Sequence, residues 1–170
     1  MEEKDVIDLY LKANHLGLKL WLDGGWGVDA LLGKQTRPHK DLDITIQLKD
    51  LSIFRQLLSG MGYREIKPEI ARPHNFVLSD NHNHEIDIHV IVLNETGDGI
   101  YGHIEDGEIY PAGSLTGKGT IGNIEVDCIS PEYVVKFHRG YSLQENDYKD
   151  VIAVCKKFDL EIPADFPQLS

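Results

Sequence analysis

The stretch from Gly24 to Ile44 constrains this chain more than any other. A glycine pair leads into a helix-like run, Trp26 to Leu32, closed by Gly33, and Asp41-Leu-Asp-Ile then opens an alternating segment through Leu48. In an extended strand successive side chains change faces, so Asp41 and Asp43 project together while Leu42 and Ile44 turn to a core. Two carboxylates on one face repel, and unless one takes a proton the arrangement needs a cation. Hard oxygen ligands favour Mg²⁺, which keeps several waters and meets substrate phosphates. A glycine pair ahead of a short helix offers backbone N–H groups to those phosphates. One segment therefore signals both a metal site and a phosphate site.

The remainder reads as α/β. Val6, Leu9, Tyr10 and Ala13 recur at helical spacing up to Gly17, and Leu18 to Leu22 is a short strand delivering the chain to Gly24. Ser52 is placed to cap a helix through Leu58. Asn75 to Leu78, Glu85 to Leu93 and Ile124 to Ile129 have strand patterns, Pro131 opens a helix, and a last helix is predicted from Asn146 to Phe158. Half of the glycines fall between Asn94 and Asn123, which predicts short hairpins beside the site, part of a substrate wall, or else a solvated excursion. Within it, Gly117-Lys-Gly119-Thr-Ile-Gly122 spells a dinucleotide-binding loop but leads into a strand-like run, so that reading is set aside. The expected division is a core over 1–93, with the glycine-rich β excursion and C-terminal helices over 94–170 packed on it.

Composition narrows the partners. With 170 residues and 41% hydrophobic content, the chain can bury one proper core. It has no apolar stretch of membrane-spanning length and no secretory leader pattern at its start, so a cytoplasmic protein with no membrane partner is expected. Cys128 and Cys155 lack metal or redox spacing and read as buried free thiols. A net charge of −11 argues against nucleic acid and suits a cationic small molecule, although acidity also serves solubility alone.

In His84-Glu-Ile-Asp-Ile-His-Val, a strand would put Glu85, Asp87 and His89 on one face and Ile86, Ile88 and Val90 on the other. A third carboxylate on a strand beside Asp41 and Asp43 would complete a two-metal cage or take the proton from an attacking hydroxyl. A plain half-solvated sheet face is the bland alternative. The histidines at 82, 84 and 89 also raise a transition-metal site, against which stands the ordinary solvation of His-rich turns. Lys34, Arg37, His39 and Lys40 cluster next to the carboxylates in an otherwise acidic chain and suit phosphate charge, as do Lys136 and Arg139 farther on; pairing with local acids competes with that role.

Trp21-Leu-Asp-Gly-Gly-Trp-Gly-Val-Asp-Ala-Leu-Leu-Gly-Lys-Gln-Thr-Arg37, followed by His39-Lys-Asp-Leu-Asp-Ile44, resembles the small antibiotic nucleotidyltransferases of the DNA polymerase β superfamily. The segments Ile86 to His89, Cys128 to Ser130 and Phe137 to Tyr141 are similar to the lincosamide group, with the aminoglycoside 2″-enzymes next. The resemblance implies a polymerase β-like core, a mixed sheet flanked by helices with a small C-terminal helical part. It implies that Asp41, Asp43 and Asp87 hold Mg²⁺, two ions in the fullest version, with Asp87 as ligand, general base or both. Gly24 and Gly25 would approach the triphosphate of ATP or another nucleotide, with Arg37, His39 and Lys136 nearby. The implied reaction is transfer of AMP to a hydroxyl of an antibiotic, a lincosamide before an aminoglycoside. A non-catalytic nucleotidyltransferase-like module, such as an antitoxin, and a metal-dependent phosphohydrolase are the other readings. A chain of this length has little room for a second domain over the acceptor, a wall that a homodimer would supply.

Overall fold

The computed structural model describes residues 1–66, 71–102, 107–138, 142–164 and 166. Helix α1 (Glu3–His15) leads to β1 (Leu20–Asp23), α2 (Gly24–Leu32) and β2 (Asp41–Gln47). Helix α3 (Leu51–Gly60), β3 (Arg64–Ile66), β4 (Asn75–Ser79) and β5 (Glu85–Leu93) follow. Next come β6 (Gly99–Tyr101), β7 (Glu108–Tyr110), β8 (Gly117–Ile121), β9 (Ile124–Cys128), α4 (Pro131–Phe137) and α5 (Glu145–Phe158).

The strands described form one mixed sheet in the order β3-β4-β5-β2-β1-β9-β8, with β6 added to β5 and β7 to β6. Strand β2 runs parallel to β5 and antiparallel to β1, while β1 is parallel to β9. Strands from before and after residue 93 thus share one sheet. Alternation builds its core face: Leu42, Ile44, Ile46, Ile86 and Ile88 are fully buried. Each such side chain contributes about 1.5–3 kcal/mol by leaving water. Val135, Val151, Ile152, Cys155 and Phe166 form a smaller apolar cluster under α4 and α5, the C-terminal helical part that was expected.

The Gly117 to Gly122 run is strand β8 and the turn after it, so it is no dinucleotide loop. Gly119 serves packing instead, because a Cβ there would meet the backbone of Ala30 and lie 2.8 Å from the Leu31 nitrogen. Helix α2 can therefore sit directly on the sheet. Cys128 and Cys155 are free and buried, as anticipated. Helix α3 starts at Leu51 after a short 3₁₀ turn, and its N-cap is Asp50 rather than Ser52, with no side-chain cap. No helix among the described residues is long and apolar enough to cross a membrane.

Candidate active site

A cleft of about 630 Å³ opens where β1 hands over to α2. Its floor is set by strand register. Asp23 of β1 stands opposite Asp43 of β2, and Asp43 opposite Asp87 of β5. Cross-strand partners share a face, so three carboxylates form one row. Ligand atoms of Asp43, Asp87 and His89 lie within 4.8 Å of one another, the one group among the described residues with the makings of a metal site. Asp41 begins the same strand opposite Glu85, is exposed, and lines the cleft mouth without joining that group.

The electrostatics express the crowding. Burial first, and then the charges of Asp23, Asp41 and Asp87, push the Asp43 carboxyl up to about 8, with Arg37 opposing. Burial also raises Asp87, although His89 and a hydrogen bond from Asn75 pull the other way. That bond, Asn75 Nδ2 to Asp87 Oδ1 at 2.9 Å, fixes one oxygen of Asp87 from β4. Glu85, the alternative to Asp87, is turned to Lys40 at 3.2 Å. A row of half-buried acids that cannot all ionise together fits a divalent cation in both charge and donor type.

Glycine is required at both positions of the pair. Gly24 has φ +53, and a Cβ would strike the Asp43 carboxylate. The Asp23 carboxylate accepts the Gly24 N–H at 2.8 Å, an N-cap that holds the start of α2 beside the acids. At Gly25 a Cβ would collide with the His39 ring and lie 2.8 Å from Arg37 Nη2. Gly25, Arg37 and His39 thus converge on one wall of the cleft. Arg37 Nη2 donates to Asp150 of α5 at 2.8 Å, while its buried Nε finds no partner among the described residues. Lys136 of α4 is exposed and lines the cleft, its Nζ 4.3 Å over the Tyr133 ring. Arg139 lies outside the described residues.

The glycine-rich segment supplies the remaining wall: β6 and β7 bring Tyr101, Glu108, Ile109 and Tyr110 to the cleft. The expected hairpin beside the site is therefore present. Tyr110 packs edge-on against Phe137 at 5.1 Å, and its hydroxyl is 3.4 Å from Asp23 and 3.2 Å from His89 Nδ1. His84 is held by Asp80 at 3.0 Å in the turn before β5, and neither it nor His82 belongs to the group formed by Asp43, Asp87 and His89.

The family model described as aminoglycoside-2″-adenylyltransferase matches residues 5–154. The chain belongs to this family. A lincosamide resistance protein of Staphylococcus haemolyticus is 34% identical over 147 residues, 86% of this chain and 88% of that one. Among solved structures, a lincosamide antibiotic adenylyltransferase with lincomycin bound aligns at TM-score 0.79 and 31% identity, covering 91% of this chain and 96% of that chain. The structure of ANT(2″)-Ia with adenylyl-2″-tobramycin aligns at TM-score 0.71 and 20% identity, covering 92% and 88%, a likeness of fold. The protein is a nucleotidyltransferase, and its fold is the polymerase β-like nucleotidyltransferase core.

Asp23, Tyr110 and Asp150 join the site without having been singled out in the sequence. Asp23 carried a local signal, an Asp immediately before a helix-opening glycine pair. Tyr110 and Asp150 carried none, since their roles come from contacts made across the fold, with Asp23 and with Arg37.

Proposed function

We propose that the protein transfers AMP from ATP to a hydroxyl group of a small antibiotic, a lincosamide in first place. The observation that carries this reading is the facing pair Asp43 and Asp87, set in register directly over Gly24 and beside Arg37 and His39. Asp43 and Asp87, with Asp41 at the mouth, are the residues that would hold Mg²⁺, which when bound supplies charge neutralisation for the nucleotide phosphates. Gly24 and Gly25 let Asp43, His39 and Arg37 close against the start of α2, where the phosphates would approach, and Arg37 offers donors on the pyrophosphate side with the His39 ring packed behind Gly25. Lys136, which also lines the cleft, adds a positive charge near the nucleotide.

In the proposed reaction the antibiotic hydroxyl oxygen attacks the α-phosphorus in line. The new P–O bond forms as the bond to pyrophosphate breaks, and the hydroxyl proton passes to the Asp87 carboxylate. Asn75 keeps one Asp87 oxygen engaged and so presents the other. The acceptor would lie against Tyr101, Tyr110 and Phe137, an aromatic wall suited to a partly apolar drug. Incubating the protein with labelled ATP, Mg²⁺ and an antibiotic panel tests the reading. A nucleotidylated lincosamide with release of pyrophosphate is expected; hydrolysis alone, or binding without product, would replace it with a phosphohydrolase or a non-catalytic module. An aminoglycoside acceptor is the second reading, favoured by Glu108 and Asp147 on the cleft wall.

A further inference from the structure

Asp29 lies on the inner side of α2, only 2% exposed, and both of its oxygens are in use. Oδ1 accepts the Thr36 backbone N–H at 3.0 Å and the Thr36 hydroxyl at 2.6 Å, while Oδ2 is 2.5 Å from His39 Nε2. A buried carboxylate is costly unless it is fully hydrogen-bonded, and here every partner belongs to the connection between α2 and β2. This connection carries Arg37 and His39 to the cleft. With Nε2 tied to Asp29 and the ring 4.8 Å from Trp26, His39 is left with Nδ1 directed at Gly25.

We infer that Asp29 is a positioning residue for the phosphate-binding half of the site, fixing the His39 ring through Nε2 and the Arg37 segment through Thr36. The inference rests on the proposed nucleotide site and deepens it: a residue that never touches substrate sets the placement of the Arg37 donors and of the His39 ring behind Gly25. Separate anchoring of a surface loop would need only the Thr36 bonds. The second oxygen spent on His39 ties the same carboxylate to a ring on the cleft wall. Second contacts of this kind commonly control ring orientation where a histidine must present one chosen nitrogen.

The test compares Asp29→Asn, His39→Ala and the double variant, using MgATP binding by calorimetry, steady-state kinetics with the antibiotic acceptor, and melting temperature. Asp29→Asn keeps the shape of the side chain, and it should weaken MgATP binding and raise the ATP KM by about tenfold while the acceptor KM stays near wild type. In the His39→Ala background the same substitution should add much less than it does alone, because the two act through one contact. Thr36→Val is the second handle: its side chain is exposed, so the fold should survive, and several-fold weaker MgATP binding is expected. Full MgATP affinity in a folded Asp29→Asn or Thr36→Val, or independent effects of Asp29→Asn and His39→Ala, would overturn the inference while leaving nucleotidyl transfer intact. A wild-type protein that binds no MgATP would overturn both.

Discussion

At the scale of single residues, the site is governed by carboxylates that the fold forces together. Asp43 is the most perturbed, half-buried between Asp23 and Asp87 with its carboxyl pushed up from 3.8 to about 8. Its folded-state value lies above the unfolded one, so its contribution to apo stability is complete at low pH and is lost as pH rises through about 8. Asp43→Asn should therefore abolish turnover yet leave the metal-free protein as stable as wild type or more so, with the gap in Tm widening from about pH 4 to about pH 8 and level above that. Added Mg²⁺ should narrow that gap, since only the wild type regains the cation. Thermal melts across pH, with and without Mg²⁺, check this; near wild-type turnover in the variant would remove Asp43 from the mechanism. Asp87→Asn should behave differently, because Asp43 and Asp41 still serve the nucleotide. A drop in kcat of about 10² to 10⁴ with little change in ATP affinity is expected for a lost proton acceptor. If Glu85→Gln were the inactive variant instead, the Lys40 pair would have to open and the assignment would move by one alternation of the strand.

At the scale of elements, legibility in the sequence followed the range of the interactions. Strand β5 was readable end to end because its alternation is local: Ile86 and Ile88 enter the core while Asp87 and His89 do not. The pairing of Asp43 with Asp87 was anticipated only as a neighbourhood, since periodicity assigns a face and register decides which residues meet. That is why Asp41 and Asp43 read as equals, although the fold places one at the exposed strand start and the other in the row of acids. The edge strand β3 spans three residues, too short for any alternation to show. Contacts such as Arg37 with Asp150, 113 positions apart, have no local trace at all. The glycines illustrate the same division. Gly119 is needed for the approach of α2 to β8, so Gly119→Ala should cost about 1–3 kcal/mol through overpacking. At Gly60, the last residue of α3, a Cβ meets nothing within 4 Å, and Gly60→Ala should be neutral or stabilising by about 0.5–1 kcal/mol. Chemical denaturation of the two variants separates them; equal effects would place the helix–strand contact elsewhere.

At the scale of the whole molecule, the charge of −11 and the cleft point to different acceptors. Bulk acidity would reward an aminoglycoside with several ammonium groups, and Glu108, Asp147 and Asp150 do face the cleft. Much of that acid is already committed, however. Asp150 is paired with Arg37, and Asp147 accepts the Gln144 N–H at 2.8 Å as part of the α5 capping box. What remains beside the aromatic wall of Tyr101, Tyr110 and Phe137 suits a lincosamide, which has one basic amine on a partly apolar body. The two readings separate by salt dependence. Titrations with lincomycin and with a 2″-hydroxyl aminoglycoside, each at low and high ionic strength, are the measurement. Because the screening length is about 8 Å near physiological salt, attraction summed over many exposed charges fades steeply as salt is added, whereas aromatic and apolar contacts do not. Lincomycin should therefore bind with a nearly salt-independent Kd and turn over, while the aminoglycoside should bind weakly and lose affinity as salt rises. Productive turnover of the aminoglycoside alone would reverse the order of acceptors and would leave the carboxylate row, the glycine pair and the nucleotide half of the site in the roles proposed for them.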